Sequence, residues 1–163
     1  FDIKSLRANI ALVLQDSMLF TDTVANNISY GFSKPDMNRV IEAAKAANAH
    51  EFIMSLPKKY NTIISKSTLS GGQRQRISVA RAIYKDPQIV LLDEYTSGFD
   101  KENQDIVIES ISRLTQDKTV VIISHSKASI KHADSILVLN GGEITKRKDW
   151  AEARLIASSK DSS

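Results

Sequence analysis

Three short runs of nearly unbroken apolar residues constrain this chain more than anything else in it. Ile10-Ala11-Leu12-Val13-Leu14, Ile89-Val90-Leu91-Leu92 and Thr119-Val120-Val121-Ile122-Ile123 have the length of strands, and they do not alternate with polar residues as half-exposed strands do. They predict strands covered on both faces. Between them the apolar positions recur at helical spacing. Met37, Val40, Ile41, Ala44 and Ala47 predict a helix from Met37 to His50 behind the start signal Pro35-Asp36, and a second short helix ends before Pro57. Ser70 opens a helix carrying Ile77, Ala80, Ile83 and Tyr84 that stops near Asp86-Pro87, and Lys101 to Leu114 turns Val107, Ile108, Ile111 and Leu114 inward. Strands joined by helices pair in parallel through crossovers, so the predicted class is α/β with a doubly wound, parallel-sheet core. Ile136 to Leu139 is expected to continue that alternation. Gly141-Gly142 then turns the chain into an edge strand at Glu143 to Thr145, and the tail from Asp149 reads as an amphipathic helix.

Composition narrows the function. The chain has 163 residues, 42% hydrophobic and 25% charged, which excludes disordered and fibrous classes. Lys plus Arg exceed Asp plus Glu by 22 to 19, and a net charge of +3 does not call for a polyanionic partner. The absence of cysteine removes thiol catalysis, zinc-thiolate sites and disulfides. No apolar run approaches the ~20 residues that span a bilayer. The opening residues Phe1-Asp2-Ile3-Lys4-Ser5-Leu6-Arg7 hold neither an initiator Met nor a leader, so the expectation is a fragment of a longer protein.

In open parallel sheets, ligands lie beyond the carboxyl ends of the strands. The residues just past the three runs are Gln15, then Asp93 and Glu94, then Ser124 and His125, so an amide, two carboxylates and an imidazole are expected on one rim. A strand-end carboxylate such as Asp93 suits Mg²⁺, which takes one or two rigid carboxylates and keeps its waters. Glu94 can hold a water against a phosphorus atom, because phosphoryl transfer asks mainly for positioning. An Asp-Glu pair that merely closes a strand at the solvent boundary is the plain alternative. A second feature is Leu69-Ser70-Gly71-Gly72-Gln73, five specified residues that arise by chance in about one sequence of this length in twenty thousand. Ser70 and Gln73 have capping-box spacing, and the glycines leave amides open to an anion at a helix N-terminus. An ordinary Ser-capped helix start is the alternative there.

Together with Arg74-Gln75-Arg76-Ile77-Ser78-Val79-Ala80-Arg81-Ala82, this segment resembles the signature of an ATP-binding cassette (ABC) transporter nucleotide-binding domain. Ile89 to Glu94 resembles the Walker B strand, Ser97-Gly98-Phe99-Asp100 the D-loop, His125 the switch histidine and Gln15 the Q-loop glutamine. Leu19-Phe20-Thr21-Asp22-Thr23-Val24-Ala25-Asn26-Asn27-Ile28, with Leu56-Pro57 and Tyr60, is most similar to the exporter branch. The resemblance implies an incomplete P-loop NTPase-like α/β core with a helical subdomain inserted before the signature. Residues 16–86 would hold the Q-loop, helical subdomain and signature helix, and 1–15 with 87–163 the core carrying Walker B, D-loop, H-loop and C-terminal helix. It also implies ATP and Mg²⁺. Asp93 and Gln15 would meet the metal, Glu94 would be the base or water-orienting group, and His125 would contact the γ-phosphate. Ser70, Gly71, Gly72 and Gln73 would grip ATP held by the opposite subunit, and Asp100 would reach across that interface. The implied partners are a second nucleotide-binding domain and a transmembrane domain, at the cytoplasmic face of a membrane, with no nucleic acid.

The pattern is incomplete. None of the six glycines fits G-x-x-x-x-G-K-[S/T], the loop that provides most phosphate contacts; in the family it precedes the Q-loop and would lie upstream of Phe1. The chain alone is therefore expected neither to bind ATP tightly nor to hydrolyse it. The segment before the signature, Asn61 to Thr68, lacks the glycine and glutamate usual in exporters, Tyr95 replaces a small residue, and Ser126 stands where an arginine is common. Two other readings stay open. A chromosome-maintenance or DNA-repair ATPase of the same superfamily would place a coiled coil ahead of the signature, whereas 54 residues without heptads separate Gln15 from Ser70. A non-hydrolytic docking fragment is the other. Arg74, Arg76, Arg81 and Lys85 read as a solvated helix face, and His50 and His132 as surface residues.

Overall fold

The computed structural model describes residues 2–96, 101–130 and 133–147, and the chain forms two units, Phe1–Ser124 and His125–Ser163. Within the first, α1 (Ile3–Asn9) leads into β1 (Ile10–Val13); β2 (Asp22–Thr23), α2 (Val24–Ile28), α3 (Met37–Ala46) and α4 (His50–Ser55) follow. A 3-10 turn at Lys59–Asn61, the short β3 (Ile63–Ile64) and the long α5 (Gly71–Lys85) come next, before β4 (Ile89–Asp93), α6 (Lys101–Thr115) and β5 (Thr119–Ile123). The second unit contains α7 (Lys127–Ile130), β6 (Ile136–Asn140) and β7 (Glu143–Arg147).

The predicted parallel sheet is present, with strand order β1-β4-β5 and Val13 level with Leu92, which is level with Ile122. Its coverage differs from expectation. α5 packs against β1, with α6 beside it, so Ala11, Val13, Val90 and Leu92 are buried on one face. On the other face Leu12, Val121 and Ile123 remain 52%, 50% and 61% exposed. The apolar runs reported correctly that both faces are hydrophobic; they carry no information on whether the described residues cover both. The parallel alternation expected at Ile136 to Leu139 is also corrected. β6 pairs antiparallel with β7, Asn140 opposite Glu143, across the two-residue turn Gly141-Gly142. Both glycines have positive φ, 59° and 86°, the conformation of a tight hairpin turn.

α5 organises the first unit. It starts where expected because Ser70 Oγ accepts from the Gln73 amide at 3.3 Å while Gln73 Oε1 accepts from the Ser70 amide at 3.0 Å, a complete capping box. It stops at Asp86, whose left-handed φ of 52° breaks the helix just before Pro87. Ile77, Val79 and Ala80 are fully buried, and the helix touches α2, α3, α6 and β1. α3 begins with Asp36 Oδ1 accepting from the amides of Asn38 and Arg39. Its expected extension to His50 ends early: Asn48, at φ 51°, separates α3 from α4. Among the described residues no helix is long and apolar enough to cross a membrane. The D-loop residues Ser97 to Asp100, His132, and the tail from Asp149 with Trp150 lie outside the described residues.

Candidate functional site

The parallel register makes the chain leave β1, β4 and β5 at the same edge of the sheet. Gln15 stands two residues past Val13, exposed; Asp93 closes β4, half-buried; Glu94 follows it. The structure thus brings Gln15, Asp93 and Glu94 to one edge. Ser124 leaves β5 at that edge too, and His125, next in the chain, opens the second unit.

Glu94 is held in an unusual conformation. Its φ is +45°, a left-handed backbone that costs a non-glycine residue roughly 1–2 kcal/mol. Its amide nevertheless donates to Ile123 O at 2.9 Å, extending the ladder one residue beyond β4, and the next residues, Tyr95 and Thr96, are 3% and 5% exposed. A ladder bond on one side and buried anchors on the other impose the turn; strain sustained this way clusters at functional sites. The bulky Tyr95, unusual beside its expected small counterpart, is absorbed into the core.

Among the described residues no hydrogen bond or ion pair engages the Asp93 carboxylate, and no group of three His, Cys, Asp or Glu residues gathers into a metal site. A single open strand-end carboxylate fits Mg²⁺, which is held by one or two carboxylates together with water and substrate phosphates rather than by a protein cage.

The signature turn is on a different element, the start of α5. Ser70 is exposed, Gly71 half-buried and Gly72 buried. The two side chains serve the cap only as acceptors: Ser70 Oγ receives the Gln73 amide and Gln73 Oε1 receives the Ser70 amide. What remains is the Ser70 hydroxyl proton, the Gln73 side-chain NH₂ and the first amides of the helix, all donors. Such donors suit an anion. The turn is tied to the strand edge through Ser17, whose hydroxyl donates to Gln75 Oε1 in a buried hydrogen bond, Gln75 being 1% exposed.

The basic residues of α5 do not form the expected solvated face. Arg74 Nη1 donates to the carbonyls of Lys66 and Leu69, Lys85 Nζ donates to those of Arg7 and Ile10, and Arg76 lies over the Phe52 ring at 5.2 Å. Arg81 is the most enclosed. Nε donates to Asn27 O at 2.8 Å, Nη1 to Met18 O at 3.0 Å and Nη2 to Asn27 Oδ1 at 3.3 Å. Burial lowers the proton affinity of its guanidinium below the ordinary arginine range, against the influence of Tyr30, which raises it. His50 is likewise not a free surface residue: Nδ1 pairs with Tyr60 Oη at 2.8 Å. Burial, then the nearby Glu51, push the Tyr60 phenol up to about 12. In the loop itself, the hydrogen bond and charge of Lys66, 2.5 Å away, hold the Asp16 carboxyl below the usual carboxylate range. A cleft of about 390 Å³ lined by Lys45, Asn48, His50, Glu51, Arg76 and Glu109 contains none of the predicted site residues.

A family model described as ABC transporter matches residues 1–97, more than half of the chain, and takes in Gln15, the signature turn, Asp93 and Glu94. The chain belongs to the ABC transporter family. A putative multidrug export ATP-binding/permease protein of Bacillus subtilis is 44% identical over 146 residues, 88% of this chain and 25% of that protein. An ATP-dependent lipid A-core flippase of Saccharophagus degradans is 47% identical over 145 residues, again 88% of this chain and 25% of the relative. ABC transporter B family member 2 of Dictyostelium discoideum is 47% identical over 145 residues, covering 88% of this chain and 10% of that protein. The chain therefore spans a quarter or less of the length of these ABC relatives.

The strain at Glu94 has a measurable signature. Glu94→Gly and Glu94→Ala both delete the carboxylate, but only glycine relaxes at positive φ. Urea unfolding should find the Gly variant more stable than the Ala variant by about 1 kcal/mol. The reverse order, by the roughly 0.5–1 kcal/mol typical of ordinary strand positions, would show that Glu94 is not strained.

Proposed function

We propose that this chain is part of the nucleotide-binding domain of an ABC-type exporter and contributes to two halves of its ATP sites. In this reading residues 16–86 form the Q-loop, helical subdomain and signature helix, and 1–15 with 87–163 belong to the α/β core. The observation that carries the proposal is the parallel register that sets Gln15, Asp93 and Glu94 at one edge of the sheet.

Each group has work suited to its chemistry. The Glu94 carboxylate accepts a hydrogen bond from the attacking water and aims its oxygen at the γ-phosphorus. Asp93 and Gln15 would hold Mg²⁺ with its waters, and the ion would supply neutralisation of phosphate charge. His125 contacts the γ-phosphate. Ser70, Gly71, Gly72 and Gln73 offer their unused donors to the γ-phosphate of ATP bound by a second nucleotide-binding domain, and Asp100 crosses that interface. The pairing of domains drives a transmembrane partner, with the chain at the cytoplasmic face of the membrane. The family membership and the export and flippase names of the relatives support this reading.

Two experiments test it. In the full-length protein, Glu94→Gln should lower ATP hydrolysis at least 100-fold while Mg²⁺-ATP binding persists; unchanged turnover would overturn the role of Glu94. The 163 residues alone are proposed to be inactive. They contain no G-x-x-x-x-G-K-[S/T], and a helix N-terminus contributes only ~0.3–2 kcal/mol toward holding an anion. Calorimetry with ATP should give a dissociation constant weaker than about 1 mM, a binding free energy of at most ~4 kcal/mol in magnitude. Micromolar binding would contradict this.

A further inference from the structure

We propose that Arg81 is a positioning residue that fastens the loop beyond Gln15 to the signature helix, so that motion of that helix is delivered at Gln15. The proposal rests on the nucleotide-site reading above for its consequence, though not for its geometry.

The fastening has two points, both on α5. Near the start of the helix, Gln75 receives the Ser17 hydroxyl. Six residues further on, about 9 Å along the axis, Arg81 donates to the carbonyls of Met18 and Asn27. Asn27, 1% exposed, passes the contact on: its Oδ1 accepts from the Phe20 amide at 3.0 Å, and its Nδ2 donates to Phe20 O at 2.9 Å. The Phe20 and Tyr30 rings stack at 4.2 Å and 10°, and the Arg81 Cζ lies 5.6 Å from each centroid. Ser17, Met18 and Phe20 are thus all engaged, directly or through Asn27, by one rigid helix.

The chemistry of the clamp is specific to arginine. Among the described residues no carboxylate forms an ion pair with Arg81; the fork is satisfied by two carbonyls and one side-chain amide, beside the stacked pair of rings. A planar guanidinium reaches all of these at once, and a lysine ammonium, with one nitrogen, cannot. A half-buried cation with no ion pair among the described residues is a poor device for stability alone, since an apolar residue of similar volume often serves that purpose as well. Its product here is geometry.

The consequence lies in what is left unfastened. Val13 is laddered to Leu92, and Ser17 is bound to α5. Only Leu14, Gln15 and Asp16 join the two, and the four steps from Val13 to Ser17 span at most ~14 Å of extended chain. The exposed pair Asp16–Lys66 is the kind that contributes little. Lys85 ties the far end of α5 to the carbonyls of Arg7 and Ile10, so a displacement of the N-terminal half of the helix relative to the strand edge falls on three residues, of which Gln15 is the middle one. A shift at the donor face of Ser70 to Gln73 reaches Gln15 with no long loop to dissipate it.

The test uses Arg81→Lys, which keeps the charge and removes the fork, and Ser17→Ala, which removes only the second fastening and covers the case in which the lysine variant fails to fold. In the 163-residue chain, hydrogen exchange of the Phe20 amide should accelerate at least tenfold in Arg81→Lys, with interior α5 amides unchanged. Ser17→Ala should loosen the amides of residues 16–18. Acceleration spread evenly over α2, α3 and α5, or none at Phe20, would overturn the clamp. In the full-length protein, Arg81→Lys should lower kcat for ATP at least tenfold and change KM less than twofold. An unaltered kcat would overturn the positioning role while leaving the nucleotide reading intact. If the unsubstituted protein hydrolyses no ATP, that reading falls, and the exchange result still decides whether Arg81 clamps the loop.

Discussion

Because β4 is hydrogen-bonded on both sides, every polar group at the strand ends has a fixed place. Val13, Leu92 and Ile122 are level, and the ladder runs one bond past the strand, to the amide of Glu94. That bond keeps Glu94 at positive φ while Tyr95 and Thr96 descend into the core. Without it, a chain leaving a central strand would relax into an ordinary extended or helical turn, and Asp93 and Glu94 would lose their fixed relation to Gln15. The burial of Val13, Val90 and Leu92 under α5 supplies the free energy that sustains this, at ~1.5–3 kcal/mol for each large side chain.

α5 serves structure and site with the same groups. The capping box that nucleates the helix uses the side-chain oxygens of Ser70 and Gln73 as acceptors and leaves the hydroxyl proton and the side-chain NH₂ to spare, the donors that the proposed site calls on. At the other end, Lys85 closes on the carbonyls of Arg7 and Ile10 and fixes the helix against the start of β1. Between these ends, Gln75 and Arg81 hold the loop that follows β1. One helix thus carries the diglycine turn, the hydrogen bonds to the loop and the cover of the sheet.

Much of this was legible in the sequence where a local signal was unambiguous. The bounds of α5 follow from Ser70-x-x-Gln73 and Asp86-Pro87, and β5 spans the residues its apolar run implied. α1 was not legible: Ile3 to Asn9 buries no residue and Asp2 makes no side-chain cap, so the helix leaves no periodic trace. Gly141-Gly142 marked the turn into the strand at Glu143, which pairs with β6 across it, whereas the run Ile136 to Leu139 looks alike in a parallel or an antiparallel sheet and gave no guide to its direction of pairing. Arg81 was hidden for a different reason. Its acceptors lie as far as 63 residues away, at Met18, and a helix with four basic residues looks the same in sequence whether they meet water or buried carbonyls. The pair Phe20 and Tyr30, ten residues apart and stacked, was the one hint of an aromatic seat.

The central claim is that the donor face at Ser70 to Gln73 and the acid edge at Asp93 and Glu94 are complementary halves of one kind of nucleotide site. The most direct measurement is a structure of the full-length protein carrying Glu94→Gln, trapped with ATP and Mg²⁺. The account predicts a γ-phosphate between Ser70–Gly72 of one copy or partner domain and the strand-end edge of the other. A bound nucleotide that touches neither group of residues would contradict it.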